Sequence, residues 1–215
     1  MSRKRVLQTV AALLVVLVLV VGLLWVFPVL RVSAFEVTGN ARTPEELVVE
    51  ATGVAEGDNL VRVDAGRAAA GVAQLPWARS ATVSRGWPGT LQVEITERRA
   101  VLFSREADGD HLVDDEGVPF VIDVPPEDAV EVTGEVESYG PVADVVTALP
   151  EDIRVLVSSV DVPGPRELTL RLEDGRTVYW GASESNHDKA LAVQTVLQRE
   201  GQHWNVSNPA MVTVR

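Results

Sequence analysis

A long uncharged run near the N-terminus constrains this chain more than any other feature of its sequence. Residues 6–30 contain no charged side chain, and basic residues flank the run at positions 3–5 and at Arg31. At about 1.5 Å per residue, a helix of this length covers the ~30 Å hydrocarbon core of a bilayer. Basic residues concentrate on the cytoplasmic side of a span. The sequence therefore predicts a cytoplasmic tail over residues 1–5 and a transmembrane helix over residues 6–31.

The alternative is a cleaved signal peptide, because Val32, Ser33 and Ala34 resemble a small-residue cleavage site. The apolar region of a signal peptide spans about 7–15 residues, and this run is much longer. An uncleaved anchor therefore fits the sequence better. It predicts a single-pass protein of the cell membrane, with its N-terminus in the cytoplasm and its C-terminus outside.

The region after Arg31 is strongly acidic. It contains all 31 acidic residues but only 15 of the 19 basic ones, which gives it a net charge of −16. Such a charge argues against nucleic-acid binding and against adsorption to an anionic membrane surface. Cysteine is absent from the sequence. Neither disulfides nor thiol chemistry are available, and the fold depends on its hydrophobic core.

Two helix starts follow a short predicted strand at residues 32–37. Thr43 is expected to cap the first helix, with Pro44 in its first turn and Glu46 completing a capping box. Asp64 is expected to cap the second helix, whose small apolar residues extend to position 75 and predict close packing on a sheet.

A predicted hairpin completes the first external domain. Residues 82–84 and 91–96 alternate between apolar and polar side chains, and a Gly-Trp-Pro-Gly turn joins them. The order β-α-α-β-β within residues 32–99 predicts a small α+β domain with its helices on one face of the sheet.

The remaining residues, 100–215, predict a mixed β-rich domain with a C-terminal helix and strand. Short apolar stretches separated by Asp-Gly and Glu-Gly turns predict a series of strands. Helical spacing of apolar residues predicts a short helix over residues 142–149, and a longer helix is expected over residues 185–200. Residues 204–215 are expected to finish the domain as extended chain.

Several motifs, in a fixed order along the chain, resemble those of one protein family. They are VTGN at 37–40, LPW at 75–77, VSRGWPGTL at 83–91, LVDDEGVPF at 112–120, LRLEDGR at 170–176 and WNVSNP at 204–209. Together with a single N-terminal span, this order resembles the FtsQ/DivIB family of bacterial cell division proteins, in which a POTRA domain precedes a β domain. Asn205 departs from the pattern, since Asp is common there in the family.

The resemblance implies a non-enzymatic, membrane-anchored scaffold at the division septum. It implies that the β domain binds two small bitopic coiled-coil proteins, one FtsB/DivIC-like and one FtsL-like. Through them the scaffold would regulate the septal peptidoglycan synthases FtsW and FtsI. On this interpretation residues 32–99 form the POTRA domain and residues 100–215 form the β domain.

The sequence contains no recognisable catalytic, cofactor or metal-binding motif. His111, His187 and His203 are scattered, and the Asp-rich turns at residues 108–116 lack the EF-hand pattern. Nothing places a pair of carboxylates in apolar surroundings that would raise the pKa of one of them. Two other functions stay open, namely a POTRA-type transport or assembly component and a membrane-anchored cell-wall hydrolase.

The C-terminal segment is the predicted partner-binding site, and its members are Trp204, Asn208, Met211, Val212, Thr213, Val214 and Arg215. Residues 211–215 have β-branched side chains on both faces and contain no acid. A terminal strand of this kind can lie at a sheet edge, where a partner adds a strand through main-chain hydrogen bonds. The alternative is that these residues only complete the sheet. Trp87, in the Gly-Trp-Pro-Gly turn, is either a second contact point or a cover for the sheet edge.

Overall fold

A computed structural model describes residues 3–26, 30–134, 136–164 and 166–214. The chain divides into two compact units, Met1–Glu97 and Arg98–Arg215. Unit 1 contains α1 (Arg3–Val26), β1 (Ala34–Thr38), α2 (Glu45–Ala51), α3 (Ala65–Val72), β2 (Ala78–Gly86) and β3 (Thr90–Glu97).

Helix α1 contains 24 residues and covers most of the predicted span. Within the part of the chain that the structure describes, no helix is both long enough and apolar enough to cross a membrane. The transmembrane segment therefore stays a prediction.

Unit 1 after α1 has the predicted order β-α-α-β-β. Its three strands form one sheet in the order β1-β3-β2, in which β1 is parallel and β2 antiparallel to β3. Along β3, Leu91, Val93 and Ile95 are buried while the residues between them are exposed, as the alternation predicts. Helices α2 and α3 approach closely, since a Cβ atom at Gly71 would lie 2.1 Å from the carbonyl oxygen of Ala51.

The two predicted helix caps differ in outcome. Asp64 caps α3, because its carboxylate accepts a hydrogen bond of 3.0 Å from the backbone N–H of Arg67. The predicted capping box of α2 is wrong. Pro44 occupies the cap position, and no side chain caps this helix. Thr43 is instead buried, and its backbone N–H donates to the carboxylate of Glu97 at 2.8 Å.

The Glu97 carboxylate fixes the whole loop before α2. It also accepts hydrogen bonds from the backbone N–H groups of Ala41, at 3.1 Å, and of Arg42, at 2.9 Å. Partial burial raises the pKa of the Glu97 carboxyl, but hydrogen bonds from Thr43, Arg42 and Ala41 outweigh it and hold the pKa below its usual range. The charged form of Glu97 therefore stabilises the folded unit.

Replacing Glu97 by Gln is expected to lower the free energy of unfolding of unit 1 by about 1–2 kcal/mol at pH 7, because charge-assisted hydrogen bonds become neutral ones. A pKa that is lower in the folded state gives stability above the unfolded-state pKa and loses it as the pH falls through the folded-state pKa. The difference from wild type should therefore shrink below about pH 4.3 and then vanish. Amide hydrogen exchange of β3 in the full chain measures it. Glu94→Gln, at an exposed position of the same strand, is the matched control and should change the protection of β3 little.

Unit 2 contains one nine-stranded sheet and three helices among its described residues. The strands are β4 (Ala100–Glu106), β5 (Gly109–Asp114), β6 (Pro119–Ile122), β7 (Val130–Gly134), β8 (Val157–Gly164), β9 (Glu167–Leu172), β10 (Thr177–Gly181), β11 (His203–Asn205) and β12 (Thr213–Val214). The helices are α4 (Gly140–Ala148), α5 (Glu151–Arg154) and α6 (Asn186–Val196).

The strand order in this sheet is β12-β11-β10-β9-β8-β7-β4-β5-β6, so β12 and β6 are its two edges. Buried residues of the strands pack with α4 and α6 in one core that includes Val145, Leu170, Trp180 and Val193. The mixed β-rich fold of this unit agrees with the prediction. The expectation of one extended segment over residues 204–215 is wrong, since the chain turns between β11 and β12 and the two strands pair antiparallel.

Candidate partner-binding surface

The C-terminal segment lies at one edge of the nine-stranded sheet. Val214 of β12 is opposite Trp204 of β11, and Thr213 is opposite Asn205. Among the residues that the structure describes, no other strand pairs with β12. The outer side of β12 can therefore accept another strand through its main-chain groups.

The predicted site residues separate into exposed and buried groups. Met211 is 68% exposed and Val214 is 47% exposed, and Asn208 and Thr213 also face solvent. Trp204 is buried in the core, and Val212 packs against that core. Arg215 lies outside the described residues. The accessible part of the predicted site is thus formed by Asn208, Met211, Thr213 and Val214. Trp204 and Val212 pack in or against the hydrophobic core instead.

Two asparagine side chains shape the turn that brings β12 back along β11. The Asn205 side-chain oxygen accepts hydrogen bonds from the backbone N–H of Ser207, at 3.0 Å, and from its hydroxyl, at 2.7 Å. The Asn208 side-chain oxygen accepts from the backbone N–H of Ala210 at 3.1 Å. Side chains of this kind stabilise turns by bonding backbone groups two residues ahead. The exposed Asn208 is therefore engaged in the turn itself.

A shallow depression of about 440 Å³ borders this turn, between α6 and residues 209–210. Leu191, Ala192 and Thr195 of α6 line it together with Pro209 and Ala210. Leu191 is 49% exposed although it is a large apolar residue. The contribution of α6 was not anticipated from the sequence. Nothing in the sequence distinguishes Leu191, because only the fold brings it next to Pro209 and Ala210.

Lys189 fixes the start of α6 to the sheet. Its side chain is buried, and Nζ donates hydrogen bonds to the carbonyl oxygens of Trp180, at 3.0 Å, and Ala182, at 2.8 Å. Burial lowers the pKa of the Lys189 ammonium, and the negative charge of Glu184 offsets this only in part. The Trp180 indole N–H donates to the side chain of Asn186 at 3.0 Å. These contacts set the position of the helix that borders the depression.

The structure also brings together three possible metal ligands that lie close in sequence. In the described part of unit 2, ligand atoms of Glu106, Asp108 and His111 lie within 4.8 Å of one another at the β4–β5 turn. The imidazole of His111 and the carboxylate of Asp108 are 2.9 Å apart. This hydrogen bond raises the pKa of His111 and lowers that of Asp108. The two acids are exposed, and the hydrogen-bonded pair accounts for the arrangement without a bound ion.

Comparison with protein families covers both units. A family model described as the FtsQ-type POTRA domain matches residues 30–98. A second model, described as the C-terminal part of the cell division protein FtsQ/DivIB, matches residues 103–212.

Three curated relatives illustrate the similarity. The cell division protein FtsQ of Corynebacterium glutamicum is 44% identical over 220 residues, covering 99% of this chain and 99% of that protein. FtsQ of Mycolicibacterium smegmatis is 36% identical and covers 95% of this chain and 63% of that protein. FtsQ of Streptomyces coelicolor is 30% identical and covers 94% of this chain and 85% of that protein.

Among solved structures, the major extracytoplasmic domain of the cell division protein DivIB from Geobacillus stearothermophilus is similar to part of the chain. It covers 49% of this chain and 98% of its own chain, with 14% sequence identity and a TM-score of 0.37. A likeness of this size carries no argument about the fold. The family assignment rests on the sequence matches.

Proposed function

The chain belongs to the FtsQ/DivIB family of bacterial cell division proteins, and we propose that it is a non-enzymatic, membrane-anchored scaffold of the division machinery. In this proposal, residues 1–5 are cytoplasmic, residues 6–31 span the membrane, and residues 32–99 and 100–215 form the external POTRA and β domains. The scaffold binds small bitopic coiled-coil proteins, FtsB/DivIC-like and FtsL-like, and regulates FtsW and FtsI through them.

The observation that carries the proposal is the free edge at β12. An edge strand offers the main-chain donors and acceptors of its outer side to an incoming segment, and side chains beside it give specificity. Met211 and Val214 are exposed apolar residues at this end of the chain, and Leu191 of α6 lines the depression beside the turn that precedes β12. A partner that contributes one short strand and a few apolar side chains fits this surface.

The acidic charge of unit 2 is consistent with a protein partner that has basic residues beside its apolar contact. Opposite charges around an interface increase the rate of association and the selection of the partner more than they increase affinity. Binding through main-chain pairing should therefore persist at high salt, while the association rate falls.

The experiment that tests the proposed function is recovery of the full chain from cross-linked membranes of its own organism, followed by mass spectrometry. The expected result is enrichment of two small proteins, each with one apolar span followed by coiled-coil heptads. The same preparation should release no fragments from purified peptidoglycan. Release of fragments, or recovery of neither small protein, would contradict a scaffold function.

The membrane orientation gives a separate prediction. A reporter that is active only in the cytoplasm should remain silent when it is fused after Arg215 and give a signal when it is fused before Met1, because the basic residues precede the apolar run. A fusion to a reporter that is active only outside the cytoplasm is the matched control and should give the opposite pattern. A cytoplasmic signal from the C-terminal fusion would contradict the proposed orientation.

A further inference from the structure

The residues that follow the apolar run are held firmly by unit 1. The carbonyl oxygen of Leu30 accepts a hydrogen bond of 2.9 Å from the backbone N–H of Leu60. Val32 donates to the carbonyl oxygen of Asp58 at 2.8 Å and accepts from the backbone N–H of Gly57 at 2.8 Å. The position at which the chain leaves the proposed span is therefore fixed relative to the rest of this unit.

The tip of the β2–β3 hairpin lies directly beside this exit. The carbonyl oxygen of Gly89 accepts hydrogen bonds from the backbone N–H of Ser33, at 2.8 Å, and from its hydroxyl, at 3.1 Å. A Cβ atom at position 89 would lie 2.8 Å from the carbonyl oxygen of Arg31. The turn thus packs against the backbone of the exit so closely that only glycine fits.

This turn presents Trp87, a large aromatic side chain that is 61% exposed. Most of the surface of this ring faces solvent, so the ring is accessible to another surface. An indole ring combines a large apolar surface with one N–H donor, and tryptophan is enriched where a protein crosses from lipid to water. The hairpin places this turn at the exit although Gly89 and Ser33 are 56 positions apart in the sequence.

We propose that Trp87 is an interfacial membrane anchor that enters the headgroup region of the outer leaflet. This inference rests on the proposed membrane span. Ser33 lies three positions after Leu30, a distance of at most about 11 Å even when the chain is fully extended. The headgroup region adds roughly 5–8 Å on each side of the hydrocarbon core. A turn that hydrogen-bonds to Ser33 is therefore within reach of the lipid headgroups.

The charges near the exit favour contact through an aromatic ring rather than broad electrostatic adsorption. Glu56 and Asp58 lie on one neighbouring loop and Arg62 follows them, while Arg85 lies next to the turn in sequence and the backbone of Arg31 lies beside Gly89. The two signs nearly balance locally, and the external region as a whole carries −16. The expected ligand is thus the interfacial region of a zwitterionic bilayer, and anionic lipid is not required. Insertion of Trp87 would restrict how far unit 1 can tilt from the membrane.

The test uses the full chain, reconstituted into phosphatidylcholine vesicles that contain lipids brominated near the headgroup end of the acyl chain. Trp87→Phe removes the emission of one indole, and the difference from wild type isolates that indole. The expected difference spectrum is blue-shifted, is quenched by the brominated lipid and resists iodide added outside. Trp77→Phe is the matched control in the same unit. The guanidinium carbon of Arg42 lies over the Trp77 ring, 4.9 Å from the ring centroid. Lipid should therefore not quench the emission of Trp77.

Trp25→Phe tests the proposed membrane span independently of Trp87, because Trp25 belongs to helix α1. If brominated lipid quenches both Trp25 and Trp87, the proposal is supported. Quenching of Trp25 alone, with Trp87 open to iodide, would reject the interfacial anchor and leave the span intact. Quenching of neither would reject both. Quenching of Trp87 alone would also overturn the proposal, because the contact would then not follow from the exit of a span.

Discussion

Replacing Asp114 by Ala is expected to lower the free energy of unfolding of unit 2 by about 3–5 kcal/mol, the typical cost of removing one partner from a buried ion pair. The Asp114 side chain is completely buried and forms an ion pair with Arg98. Its Oδ1 also accepts hydrogen bonds from the backbone N–H groups of Glu116, at 3.0 Å, and Val118, at 2.9 Å. The variant leaves these donors without their acceptor next to the β5–β6 turn. Such a loss is a large share of the roughly 5–15 kcal/mol that stabilises a typical domain.

Two further variants make this prediction specific. Asp114→Asn keeps an acceptor oxygen at nearly the same place and should cost less than the Ala variant. Arg166→Ala removes one partner of an exposed ion pair with Glu184, in which the Arg166 and Glu184 side chains are 72% and 68% exposed. An exposed pair contributes about 0–1 kcal/mol, so this control should change stability little.

Amide hydrogen exchange of β4 and β5 in the full chain measures these effects without assuming that both units unfold together. Protection should fall most in Asp114→Ala, less in Asp114→Asn and least in Arg166→Ala. Equal responses of Asp114→Ala and Arg166→Ala would show that the buried pair contributes no more than a surface pair, which would contradict this prediction.

Features with a local physical cause were predictable from the sequence. The alternation along β3 and the order of elements in unit 1 follow from side-chain periodicity, and Asp64 caps α3 with an N–H only three residues away. The cap of α2 could not be predicted in this way. The carboxylate that accepts hydrogen bonds from the backbone N–H groups before α2 belongs to Glu97, which is 54 residues from Thr43. A sequence pattern shows Thr43 and Pro44 but cannot show a partner on a distant strand.

The same limit explains what the sequence did not reveal in unit 2. Strand β7 (Val130–Gly134) is short, yet it lies inside the sheet and pairs in parallel with both β4 and β8. Parallel partners come from separate parts of the chain, so no hairpin turn marks them. The candidate surface shows a related effect. Residues 211–214 stand out by composition, whereas Leu191 joins the surface only because α6 lies beside the turn that precedes β12.

Loss of partner binding at the β12 edge is the second large effect that we expect. Along an antiparallel strand, successive residues alternate between pairing with the neighbour and pointing their main-chain groups to the other side. One of Thr213 and Val214 therefore directs its N–H towards β11, and the other directs it outward. Thr213→Pro and Val214→Pro each remove one of these donors. One variant should weaken the sheet, and the other should remove only the outward donor.

If a partner adds a strand to β12, the Pro variant that keeps the β11–β12 pairing should bind the small bitopic partner about 10- to 100-fold more weakly. This range corresponds to about 1.4–2.8 kcal/mol, as expected for a lost main-chain hydrogen bond and an unsatisfied acceptor in the partner. Val214→Thr and Thr213→Val keep the N–H and serve as matched controls that should bind nearly as wild type. Binding is measured with the full chain in nanodiscs, and amide exchange of β10 and β11 identifies which Pro variant retains the sheet.

If both Pro variants retain the sheet and bind normally, the partner does not use this edge. If the Thr and Val controls lose binding as well, side chains rather than main-chain pairing dominate the contact, and strand addition is the wrong mechanism for this surface.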